Sequence, residues 1–144
     1  MVEFSEEGAR ALGRSYWVEV ERSTFGLVRQ AARGSGVRLC LLGRGPTLLE
    51  LGVPDVVATP RLVRCRFAIA GGLLARRPQG DITFTQTRDH GLQLSSTIRN
   101  FLPTLAARHG KPHWTGALYD QLQSRLHVFI SRRYFARLTR EVER

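Results

Sequence analysis

TGALYDQLQSRLHVFISRRYFARLTREVER, residues 115–144, is the stretch on which the fold turns. Leu118, Leu122, Leu126, Phe129 and Ile130 recur at steps of three and four, which stacks side chains on one face of a 3.6-residue helix. The spacing predicts one long C-terminal helix from Thr115 to Arg144, with Leu122, Leu126 and Phe129 in the core. Tyr119, Gln123, His127 and Tyr134 run along one edge of that stripe and are part apolar, part hydrogen-bonding. Such an edge fits either a cavity wall or a wet margin of the core. These four, with Leu122 and Ile130, are the candidate ligand-binding residues.

Working back from the helix, the pattern switches to period two. Asp81 to Thr87 alternates Ile82 and Phe84 with Thr83 and Thr85, and Asp89-His90-Gly91 turns it into Leu92 to Asn100. In Leu62 to Ala70, Val63, Cys65, Phe67 and Ile69 alternate with Arg64, Arg66 and Ala68, and a short continuation is expected at Leu73 to Arg76. Val37 to Leu42 and Thr47 to Leu51 flank the turn residues Gly43-Arg44-Gly45-Pro46, which predicts another hairpin. Asp55 to Thr59, between Pro54 and Pro60, is a short edge piece.

The N-terminal quarter reads as a loosely ordered lead-in at residues 1–14, followed by a strand from Tyr16 to Arg22 in which Tyr16, Val18 and Val20 alternate with Trp17, Glu19 and Glu21. Ser23 or Thr24 would cap a short helix through Arg33, ended by Gly34-Ser35-Gly36. On this reading the C-terminal helix is the only large element available to cover an apolar sheet face. The expected fold class is therefore α+β, a curved antiparallel sheet of about six strands wrapped around that helix.

The 144 residues fit one domain that can bury a core without disulfide or metal. No apolar run reaches the length of a membrane span, and residues 1–14 lack the apolar core of a secretory signal, so the expected location is the cytoplasm. A net charge of +10 points to an acidic partner such as nucleic acid. Against this, the basic residues are scattered, and only Lys111 of the 22 is lysine, as codon bias toward arginine would produce. Cys40 and Cys65 lie inside apolar strand patterns without a second ligand pair and read as buried thiols.

The run FAIAGGLLARRPQGDITFTQTRDHGLQLSSTIRNFLP, residues 67–103, followed by a long helix, resembles the START-like, polyketide-cyclase-like (SRPBCC) family. The likeness covers about half the chain, as a pattern of strands and glycine turns and not as a sharp motif. It implies a helix-grip fold with a cavity between sheet and helix, holding a small hydrophobic or amphipathic molecule of lipid or polyketide type. The family's two short helices after its first strand have room for little more than one here, between Ser23 and Gly36.

No catalytic motif stands out, and non-catalytic ligand binding is the favoured expectation, with no cofactor. Tyr119 and His127 are the residues expected to orient a ligand carbonyl or hydroxyl. His109 and His113 have Gly110 and Pro112 between them and no further ligand pair, so no metal is expected. The alternative is polyanion binding, nucleic acid in particular, through Arg38, Arg64, Arg66 and Arg99, which fall on the strand parity opposite the apolar residues. That parity carries none of the aromatic platforms that stack bases, since Phe67 and Phe84 lie on the other.

Overall fold

Residues 6–23 obey the helical period, not the period of two read over Tyr16 to Arg22. Ala9, Leu12, Gly13, Tyr16, Trp17 and Val20 are all buried, at steps of three and one that draw a single helical stripe. In the computed structural model, which describes residues 1–34, 36–75, 77–89, 91–100 and 128–139, they form α1, Glu6–Ser23. Ser5 is its N-cap, accepting a bond from the Gly8 amide at 3.0 Å, and Glu6 and Glu7 sit in the first turn, where the helix dipole favours negative charge. The expected lead-in at residues 1–14 is thus replaced from Glu6 onward by the first turns of a helix, and the expected strand by its last turns. Seven residues of alternation were too short a window to separate the two periods.

Thr24 caps the C-terminal end of α1 and does not start a helix. Its hydroxyl donates to the Val20 carbonyl, and a tight turn through Phe25-Gly26 sends the chain into β1, Val28–Arg33, where a short helix was expected. The remaining strands lie close to their predicted positions: β2 (Gly36–Leu41), β3 (Thr47–Leu51), β4 (Asp55–Thr59), β5 (Leu62–Gly71), β6 (Asp81–Thr87) and β7 (Gln93–Arg99). Residues 73–74 are turn, not the expected continuation strand. All pairings between strands are antiparallel, in the order β1-β2-β3-β5-β6-β7. Strand β4 also pairs with β5, and it does so next to β3. Leu51 of β3 stands opposite Ile69 while Asp55 to Thr59 of β4 stand opposite Arg66 to Leu62, so the two short strands line up along one side of β5 with Gly52-Val53-Pro54 between them.

A second helix, α2, is described over residues 128–139. The class is α+β, with a seven-stranded antiparallel sheet among the described residues and a helix near the C-terminus. The predicted helix residues 115–127 lie outside the described residues, among them Leu118, Leu122 and Leu126. The C-terminal helix does not cover the sheet alone: α1 and α2 share one face. Tyr16 of α1 and Tyr134 of α2 have ring centroids 5.5 Å apart, and both meet Phe84 of β6, at 4.6 and 6.1 Å. Trp17 packs edge-on against Phe67 of β5 at 5.5 Å. At Gly13 the helix comes so close to β5 that a Cβ would stand 2.7 Å from the Phe67 ring, which is why this interior helix position carries no side chain.

Polar links fasten the two helices to each other. Glu19 is only 3% exposed, and its carboxylate accepts from Arg133 Nε of α2 at 2.9 Å and from the Ser23 hydroxyl at 3.2 Å. The buried Gln86 side chain is satisfied by the Val2 backbone, accepting from its amide at 3.0 Å and donating to its carbonyl at 2.8 Å. Phe129, expected in the core, is 48% exposed and lies beneath Arg133, 5.6 Å from its guanidinium, because Ile130, Tyr134 and Leu138 carry the buried stripe of α2.

Candidate nucleic-acid interface

The face of the sheet away from the helices carries the arginines. Alternation along β5 sends Val63, Cys65, Phe67 and Ile69 under the helices and leaves Arg64 and Arg66 on the opposite side. Antiparallel register then lays hydroxyls beside them. Arg66 stands opposite Thr83, which stands opposite Thr97; Arg64 stands opposite Thr85, which stands opposite Ser95. Arg99 closes the far side of β7, opposite Asp81. These residues and Leu62 line an open groove of about 490 Å³.

Among the described residues, one arginine of the three has a fixed internal partner. Arg66 donates to Asp81 Oδ2 at 3.1 Å, and Thr83 donates to Asp81 Oδ1 at 3.0 Å, so each oxygen of this largely buried carboxylate is engaged. Arg64 Nε is buried with no hydrogen-bond partner. A buried donor left unpaired costs roughly 1–3 kcal/mol, which an acceptor brought by a ligand would recover. Among the described residues that line it, none is a histidine or cysteine, and the one carboxylate is already bonded. The described lining therefore offers donors and positive charge.

Of the four arginines singled out from the sequence, the structure gathers Arg64, Arg66 and Arg99. Arg38 shares their side of the sheet but lies on β2, opposite Glu50 and beyond β3, outside the groove. Thr83, Thr85, Ser95, Thr97 and Asp81 are the site residues that sequence reasoning passed over. Their signal was parity: each falls in step with an arginine once the β5, β6 and β7 registers are known.

The residues expected to hold an apolar ligand divide differently. Tyr119, Leu122, Gln123 and His127 lie outside the described residues. Tyr134 and Ile130 are buried in the core, and the Tyr134 hydroxyl donates to the Leu12 carbonyl at 3.1 Å, so its polar handle is spent on α1 and not turned to a ligand. Burial, helped by the neighbouring Cys65 and Tyr16, raises that phenol well above its ordinary range. Along the described part of α2 the space over the sheet is taken by the rings of Tyr16, Phe84 and Tyr134. Cys40 and Cys65 are free and buried, as read from their strand patterns, and burial pushes the Cys65 thiol up to about 11.

No family model matches the chain, and neither a curated protein nor a solved structure does. The START-like resemblance thus rests on the order of strands and turns alone. Among the described residues, no helix is long and apolar enough to cross a membrane.

Proposed function

We propose that this protein is a non-catalytic binding module that takes the phosphate backbone of nucleic acid on the open face of its sheet. The single observation that carries the reading is the groove in which Arg64, Arg66 and Arg99 surround four hydroxyl side chains. Among the described lining residues three guanidiniums face one carboxylate, which leaves positive charge for an anion, and hydroxyls are regular phosphate partners. Arg64 and Arg66 are two residues apart on a strand, about 7 Å, and Arg99 is two strands away, about 10 Å, so they meet separate phosphates and do not chelate one. Among the described residues the lining carries no aromatic ring, which favours contact with the backbone over stacking with bases. The overall charge of +10 speeds encounter with such a partner without choosing among sequences. An apolar ligand is the weaker reading, because its described residues are committed to the core.

Fluorescence anisotropy with a labelled mixed-sequence oligonucleotide tests this. Binding should persist at about 0.15 M salt and fall as salt rises, with a log–log slope near −2 to −3 for three phosphate contacts. Arg64→Gln and Arg99→Gln should each flatten that slope by about one unit and weaken all sequences alike. Arg66 is left in place because its loss would strand Asp81. Equal affinity in the wild type and an Arg64→Glu/Arg99→Glu variant would remove this face from the binding.

A further inference from the structure

Two turns at one corner of the molecule share an unusual construction. The first, after α1, is Thr24-Phe25-Gly26-Leu27, closed by the Leu27 amide donating to the Thr24 carbonyl at 3.0 Å. The second, between β2 and β3, begins with Leu42-Gly43. Phe25 and Gly26 have φ of 53° and 76°, and Leu42 and Gly43 have 53° and 77°. Positive φ at two successive positions is the geometry for which Asn-Gly or Asp-Gly is ordinarily chosen, since a Cβ of an apolar L-residue there meets its own backbone. The chain instead places large apolar residues in both strained positions. They do not earn it back by packing: Phe25 is 96% exposed and Leu42 is 63% exposed.

The turns are neighbours. The Leu42 amide donates to the Leu27 carbonyl at 2.7 Å, Val28 pairs with Leu41, and Arg29 reaches between them, its Nε donating to the Gly26 carbonyl at 3.1 Å while its side chain lies against Gly43. Leu27 and Leu41 are exposed beside them, so four large apolar side chains crown one tip. Scattered surface leucines need no explanation, but a cluster held in strained backbone does. Arg29 and Arg44 belong to the same two segments, and among the described residues Glu21 is the carboxylate paired there, 3.9 Å from Arg29.

The geometry points to a membrane-docking tip: Phe25, Leu27, Leu41 and Leu42 enter the headgroup and acyl boundary of an anionic bilayer while Arg29 and Arg44 meet its phosphates. Apolar side chains ringed by arginine match the two layers of such a surface, apolar below and anionic above. A second copy of the chain is disfavoured as the occupant, because it would bring two arginine rims and two +10 chains together. This proposal is independent of the sheet-face reading, whose residues lie on β5, β6 and β7.

Vesicle co-sedimentation with phosphatidylcholine alone, and with phosphatidylserine added, tests it. The wild type should bind the anionic vesicles and leave the neutral ones. A Phe25→Asn/Leu42→Asn variant suits both turns better, so it should melt at the same or a higher temperature while binding the anionic vesicles roughly a hundredfold more weakly, the order expected for losing two buried apolar side chains. An Arg64→Glu/Arg99→Glu variant should keep its vesicle binding. The proposal is overturned by undiminished binding in the asparagine variant, by equal binding to neutral vesicles, or by absence of vesicle binding in the wild type. The last result, joined to sedimentation showing a dimer that the asparagine variant lacks, would assign the tip to self-association instead.

Discussion

Strand β5 has two sides that differ in almost every respect. One presents Val63, Cys65, Phe67 and Ile69 to two helices and is shut off from water; the other presents Arg64 and Arg66 to an open groove. The covered side is crowded enough that a glycine in α1 is required at the point of contact. On the open side, space is left over and polar groups await partners. The lesson is that stability and candidate function are interleaved residue by residue along the same ten-residue strand, so they can be perturbed almost independently.

The largest effect that would sharpen this contrast is on the covered side. Phe84 has no exposed surface and touches Tyr16, Trp17, Phe67 and Tyr134. Phe84→Ala should cost about 3–5 kcal/mol in chemical denaturation, from lost transfer energy and the cavity left among the rings. A loss below about 1 kcal/mol would mean that the cluster is not the centre of the core.

A smaller effect on the same side appears at high pH. Burial pushes the Tyr16 phenol from 10.0 up to about 12, and burial raises Tyr134 as well. On unfolding both return to the ordinary value. Between pH 10 and 12 the unfolded chain therefore releases protons that the folded chain retains, so stability is fully present below pH 10 and declines as pH rises through that window. Melting temperatures at pH 8 and pH 11 should differ in that direction. Tyrosinate absorbance appearing in the folded protein near pH 10, with no loss of melting temperature, would contradict the burial of these phenols.

The smallest stability effect belongs to the open side. Arg64→Gln should destabilise by no more than about 1 kcal/mol, because the buried Arg64 Nε has no bond for the substitution to break, while flattening the salt dependence of oligonucleotide binding. Should this substitution destabilise as much as a core change, the two sides of β5 are not separable and the arginine is structural.

The strands from β2 to β7 were legible because turn residues or prolines bound each of them, and in β5 and β6 a clear alternation runs the length of the strand. Thr47–Leu51 and Asp55–Thr59 fall where the Gly43-Arg44-Gly45-Pro46 turn and the flanking prolines place them. The N-terminal quarter was not legible by the same rule. Tyr16 to Arg22 satisfies period two locally, and only the longer window beginning at Ala9 reveals the helix. Val28–Arg33 has weak alternation of its own and becomes a strand because β2 offers it a complete ladder, Val28 against Leu41 through Arg33 against Gly36.

The candidate site shows a similar division. Parity alone put Arg64, Arg66 and Arg99 on the outer side, but whether they stood near one another depended on register across β5, β6 and β7. Tyr134 looked like a ligand handle from its place on the helical stripe. Its hydroxyl is instead bonded to Leu12, 122 residues earlier in the chain.

By itself the sequence determined the α+β class, the antiparallel hairpins, the buried state of both cysteines and the side of the sheet on which the arginines lie. These follow from local periodicity and turn chemistry, which act over a few residues. Only the tertiary structure decided that a second helix shares the covered face, that Arg66 is tied to Asp81 while Arg64 Nε is unpaired, and that the Phe25 and Leu42 turns meet at one tip. Each of these is a contact between segments distant along the chain. Such contacts are set by which apolar surfaces bury one another, and that choice is written in no single window of residues.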